Sequence, residues 1–114
     1  METSFRQLAA NETRLLEKLL AHEFPGRDAL RAQLPSIAAR QIDEHGCLEL
    51  SYKGDSLAET ELGCPTEGTC VDIDGGLIAV LLHVKNGRMR LLEIFKEDGS
   101  EILRSPTGET LKAY

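Results

Sequence analysis

Two apolar runs, residues 77–84 and 89–96, flank Lys85-Asn86-Gly87-Arg88. Asn-Gly between such runs is the strongest local hairpin signal, because both central residues of a type I′ turn need φ > 0. Asp98-Gly99 offers a second two-residue turn into residues 101–104, so the pattern predicts a three-stranded antiparallel meander over 77–104. With Asn86-Gly87 as the loop, Lys85 faces Arg88 and the pairs step outward. One face then carries Val84/Met89, Leu82/Leu91, Val80/Glu93 and Ile78/Phe95, with Ile102 beyond. The other carries Lys85/Arg88, His83/Arg90, Leu81/Leu92 and Ala79/Ile94. The first face is the better candidate for burial, and Lys85, Arg88 and Arg90 form a basic tip.

Earlier in the chain the period changes. Leu15, Leu16, Leu19, Leu20 and Phe24 fall on one helical stripe that begins near Asn11, a suitable N-cap, and stops at Pro25-Gly26. A shorter helix is expected over 27–34, with Leu30 and Leu34 one turn apart and Pro35 ending it. Residues 37–43 and 47–53 flank Glu44-His45-Gly46 as a second hairpin. Leu48, Leu50 and Tyr52 there alternate with Glu49, Ser51 and Lys53, the pattern of a strand with one wet face. Residues 54–76 are rich in glycine and acids and read as a long loop, functional or mobile, with a short edge strand over 69–73. Residues 105–114 show no periodicity and are expected to fray. The expected fold is α+β: two N-terminal helices packed on one face of a four- or five-stranded antiparallel meander sheet, in a single domain over 1–114.

Length and composition fit that picture. A chain of 114 residues with 41% apolar and 28% charged residues is expected to bury one core without staples. It has no apolar run long enough for a membrane span and no signal-peptide stretch at its start, so the expected location is the cytoplasm. Charge changes the picture more. Residues 43–74 hold nine acids against Lys53 alone, a local net of −8, while the whole chain carries −6. Such a segment repels phosphate backbones, so nucleic acid is not an expected partner. It serves either as a solvated loop or as a surface for a basic protein.

Glu93, on the register above, falls on the face expected to be buried, where a carboxylate must be paired or protonated. Its alternatives are a structural pair, a register slip that exposes it, or a catalytic acid. His83 lies opposite Arg90, and these two with Glu93 form the candidate ligand pocket. Cys47, Cys64 and Cys70 are an odd set without zinc-knuckle spacing, expected as reduced thiols. A Cys64–Cys70 bridge and a metal site of these two with His83 are the lesser readings. Asp72-Ile73-Asp74-Gly75 matches the start of a calcium loop, but position twelve is His83, which cannot serve. No phosphate-binding glycine loop, nucleophile elbow or paired-histidine zinc motif occurs. No catalytic residue, metal or cofactor is therefore assigned.

The run LLHVKNGRMRLLEIFKEDGS at 81–100, together with Phe24-Pro25-Gly26 after a leucine-rich helix, resembles a family of small uncharacterised bacterial α+β domains, a domain-of-unknown-function group. The resemblance spans helix one to about residue 104. It implies an α+β fold and a bacterial origin, and it brings no catalytic residue with it. The resulting expectation is a non-enzymatic interaction domain, inhibitor- or immunity-like, that meets a basic protein through Asp55, Glu59, Glu61, Glu67, Asp72 and Asp74. The alternatives are a small-ligand site or minor enzyme around His83, Arg90 and Glu93, and a homodimer through Ala79, Leu81, Leu92 and Ile94.

Overall fold

Residues 1–113 are described in a computed structural model. Helix α1 (Ala10–Leu19) follows the leucine stripe: Leu15, Leu16, Leu19 and the adjoining Leu20 are all buried. It begins just ahead of the expected Asn11 cap. Ala9 takes the cap position, and the Glu12 carboxylate accepts the Ala9 N–H at 2.8 Å. That is half of a capping box, since alanine has no acceptor to complete it. The helix also ends before Pro25, and the Arg27 guanidinium folds back to donate to the freed Leu20 carbonyl at 3.2 Å. Gly26, at φ +88°, then starts α2 (Arg27–Gln33), and Pro35 sits in a 3₁₀ turn, Leu34–Ser36, that closes it.

The sheet has seven strands rather than four or five: β1 (Arg6–Gln7), β2 (Ala38–Gln41), β3 (Leu48–Ser51), β4 (Thr66–Val71), β5 (Leu77–Lys85), β6 (Arg88–Lys96) and β7 (Lys112–Ala113). Their order is β1-β2-β3-β6-β5-β4-β7, antiparallel throughout. The two predicted hairpins, β2–β3 and β5–β6, both form. The third meander strand at 101–104 does not. Gly99 makes its turn, with φ +79° and its N–H on the Lys96 carbonyl, but the free side of β6 is already taken by β3. The supposed edge strand at 69–73 is longer and sits inside the sheet, between β5 and β7. Nor does the tail fray as expected. Pro106 and Leu111 are buried and β7 pairs with β4; Tyr114 lies outside the described residues.

The β5–β6 register departs from the regular one at one point. Lys85↔Arg88 and Val84↔Met89 pair as expected, but His83 then faces Leu91, Leu82 faces Leu92, Leu81 faces Glu93 and Val80 faces Ile94. Arg90 is the extra residue of a β-bulge. Beyond it every β6 side chain changes face. Leu92 and Ile94 enter the core in place of Leu91 and Phe95, and the charge taken inside has two aspartates to meet it. Glu93 is therefore half-exposed, and the charged residue that goes inside is Lys96.

The helices cover one face of the sheet, where α1 packs on β4 and β7 and α2 on β6. Leu48, Leu50, Val80, Leu82, Met89, Leu92 and Ile94 form its floor. Thr66 Oγ1 donates to the Leu19 carbonyl at 2.7 Å, fixing α1 to β4. The opposite face carries Leu77, Ala79, Leu81, His83, Leu91, Glu93 and Phe95.

Candidate functional site

The acidic connection from β3 to β4 is built on a fixed stem. Gln33, wholly buried on α2, donates through Nε2 to the Ser56 and Gly87 carbonyls at 2.7 and 2.8 Å. Its Oε1 accepts the Met89 N–H at 3.1 Å. Ser56 N–H donates to the Tyr52 hydroxyl and Ser56 Oγ to the Ala29 carbonyl. Ala58 N–H reaches the Gly87 carbonyl at 3.0 Å, and Arg88 donates to the carbonyls of Tyr52 and Gly54. Gly87 is at φ +76°, and a Cβ there would lie 2.8 Å from the Ala58 oxygen. Farther on, Val84 N–H pins the Gly63 carbonyl at 2.7 Å. Between these anchors Glu59, Glu61 and Leu62 stand exposed, and with Pro25 and Thr60 they line a cleft of about 530 Å³. The first part of the segment expected as a long loop, functional or mobile, is thus anchored at residues 54, 56, 58 and 63.

The six acids proposed from the sequence separate into two sets. Asp55, Glu59, Glu61 and Glu67 are exposed, and none forms an ion pair among the described residues. Asp72 and Asp74 are committed internally. The Asp72 side chain is fully buried, at 3.0 Å from Lys96 Nζ, and its oxygens accept the N–H groups of Ile73, Leu103 and Arg104. Asp74 lies 2.7 Å from the same ammonium and accepts the Gly76 N–H. Lys96 also donates to the Glu101 carbonyl. Asp72 is thereby withdrawn from any docking surface, a correction that follows from the bulge: once Lys96 is inside, it needs a counter-charge. Burial alone would raise the Asp72 pKa, but the Leu103 amide, Lys96 and the other N–H donors outweigh it and hold the carboxyl at about 2. The Lys96 ammonium fills the space between the two aspartates that a calcium ion would need.

His83, Arg90 and Glu93 are only partly brought together. His83 Nε2 lies 2.8 Å from Glu93 Oε1 on the open sheet face. Arg90, the exposed bulge residue, is not opposite His83, and none of the three lines the cleft beside Pro25. The expected dimer patch changes as well. Leu92 and Ile94 face the core, leaving Ala79 and Leu81 beside Leu91 and Phe95.

All three cysteines are free, so no Cys64–Cys70 bridge is present. Cys47 is buried, with Sγ accepting from the Ile94 N–H and donating to its carbonyl, and burial pushes its pKa up to about 11. Burial likewise raises Cys64 and Cys70. Thiols shifted this way are poor nucleophiles at neutral pH. Among the described residues no group of three or more His, Cys, Asp or Glu is placed to hold a metal ion, and no helix is long and apolar enough to cross a membrane.

Two residues that matter here escaped the sequence reading. Gln33 stands three positions after Leu30 on the buried stripe of α2, and a lone amide at such a position is a usable signal. Lys96 shares a face with Leu92 and Ile94 only once the bulge is known.

Neither a curated protein nor a solved structure matches the chain. A family of domains of unknown function, DUF6984, matches residues 5–106, from β1 through the segment that meets Asp72. The chain belongs to that family.

Proposed function

We propose that this protein is a non-enzymatic interaction domain, inhibitor- or immunity-like, which docks a basic protein through Asp55, Glu59, Glu61 and Glu67. The observation that carries this reading is the contrast between the two sets of acids. Asp72 and Asp74 are both ion-paired with Lys96, Asp72 in full burial, whereas these four are exposed and unpaired among the described residues. Three of them, Asp55, Glu59 and Glu61, ride on a connection whose stem is tied to Gln33 and Gly87. A negative surface held in place steers an approaching cation and loses little order on docking, raising association rates by ~10–10³. The test is affinity co-purification at low and moderate salt, repeated with Glu59→Lys, Glu61→Lys and Glu67→Lys combined. A basic protein retained at low salt, weakened by moderate salt and lost on charge reversal supports the reading. Retention unchanged by the reversal sinks it.

A second reading rests on the His83–Glu93 hydrogen bond, a half-exposed pair able to hold or pass a proton on the open sheet face. A small ligand would then meet these two residues, and Glu93→Gln would abolish a ligand-dependent rise in melting temperature.

A further inference from the structure

One cleft differs in charge from the rest of this acidic chain. It lies where β7 meets β4, has a volume of about 490 Å³, and is lined by Thr69, Cys70, Val71, Arg104, Thr110 and Lys112. Four other clefts among the described residues each include at least one acid: Glu17 in one, Glu12 and Glu44 in a second, Glu44 and Glu101 in a third, Glu59 and Glu61 in the fourth. Among the described residues this one is lined by two cations and no acid. Neither the Arg104 guanidinium nor the Lys112 ammonium has an ion-pair or hydrogen-bond partner among the described residues.

The roots of both cations are fixed. The Arg104 N–H is held at 2.9 Å by the buried Asp72 carboxylate, and the neighbouring Leu103 N–H by its other oxygen at 2.8 Å. Lys112 is paired with Thr69 across the β4–β7 ladder. Thr110 is set by reciprocal bonds with Thr107, its N–H donating to Thr107 Oγ1 and its Oγ1 accepting the Thr107 N–H. The buried Asp72–Lys96 pair thus has a consequence at the surface: it orders the irregular segment after β6 and presents Arg104 beside Lys112. Two like charges lining one concave site, neither with an ion pair among the described residues, favour an anion between them.

The geometry points to an oxyanion site for a small organic phosphate, with Arg104 as the planar two-point donor and Lys112 as the point charge. Val71, 57% exposed at the rim, supplies an apolar shoulder for the body of such a ligand. The lining includes none of the four acids proposed for docking, although Glu67 shares β4 with Thr69 and Val71.

The experiment titrates the full chain with phenyl phosphate and, separately, with inorganic phosphate at constant ionic strength, reading backbone amide shifts and heat. The expected result is saturable binding with a dissociation constant of about 1 mM or tighter, with shifts centred on Thr69, Val71, Arg104 and Lys112. Arg104→Gln and Lys112→Gln are each expected to weaken it at least about fivefold without changing the melting temperature. Lys85→Gln, at the hairpin tip, should leave it unchanged. Tighter binding of phenyl phosphate supports the organic ligand; equal affinity for both probes supports the oxyanion site but assigns it to free phosphate. Absence of saturation by either probe to about 20 mM, or binding unaffected by both substitutions, overturns the site.

Discussion

Replacing Gln33 by leucine tests whether one buried amide joins α2, the acidic connection and the β5–β6 turn. The side chain is wholly buried and makes three hydrogen bonds. Leucine is close in size, so the change removes polarity more than volume. The Gly87 carbonyl keeps the Ala58 N–H, but the Met89 N–H and the Ser56 carbonyl lose the amide. Each group left unsatisfied costs about 1–3 kcal/mol, and the added apolar burial offsets about 1 kcal/mol. With two such groups the net loss is about 1–5 kcal/mol. At ~2.1 cal/mol/K per residue, 114 residues lose about 4 °C per kcal/mol, so the melting temperature falls roughly 4–20 °C. Urea unfolding followed by circular dichroism gives the free energy, and hydrogen exchange at Met89 gives the local effect. Gln33→Glu should do no better, since it turns a carboxylate oxygen on two carbonyls. A loss under about 0.5 kcal/mol, with the Met89 amide still protected, would refute the reasoning.

Other outcomes follow from the same geometry. Asp72 has a folded pKa of about 2, below its unfolded value of ~3.9, so its contribution is present above pH 4 and is lost as pH falls from about 4 to 2; urea midpoints against pH should show that drop, and Asp72→Asn should flatten it. Lys96→Met should destabilise more than the Lys96→Met/Asp72→Asn double variant, because the single change leaves a buried carboxylate without its cation; a thermal-melt double-mutant cycle showing additivity would contradict this. Deleting Arg90 should keep the fold, since it removes the bulge residue and preserves the Leu82↔Leu92 and Val80↔Ile94 pairings; loss of those cross-strand contacts in NMR spectra would be the contrary result. Cys47 and Cys70 should react with a thiol reagent only on unfolding, ahead of which the less buried Cys64 reacts.

What could be read from sequence was local. Asn86-Gly87 forced its turn, with φ of +54° and +76°, and the leucine spacing placed α1. The residues around Glu44-His45-Gly46 paired as a hairpin for the same reason, with Gly46 at φ +94°. Features that depend on distant partners were hidden. The bulge at Arg90 is selected by which β6 residues the helices cover, not by anything at Arg90 itself. The outer strands β1 and β7 are two residues each, too short to show a period. The segment at 101–104 looked like a strand, yet its amides go to a carboxylate on the far side of β5. The acidic segment was visible as charge, but not its division into a buried clasp and an exposed surface.

Gly87 has a practical consequence for engineering this chain. A hairpin tip is ordinarily the place to insert a tag or graft a reporter, since exposed tips tolerate added residues. Here the Asn86-Gly87 tip is sealed against Ala58 and Gln33, so an insertion there would pry the acidic connection from its stem. The exposed turn at Asp98-Gly99 has open space around it, and a loop lengthened there costs only closure entropy, which makes it the site where cargo can be carried silently.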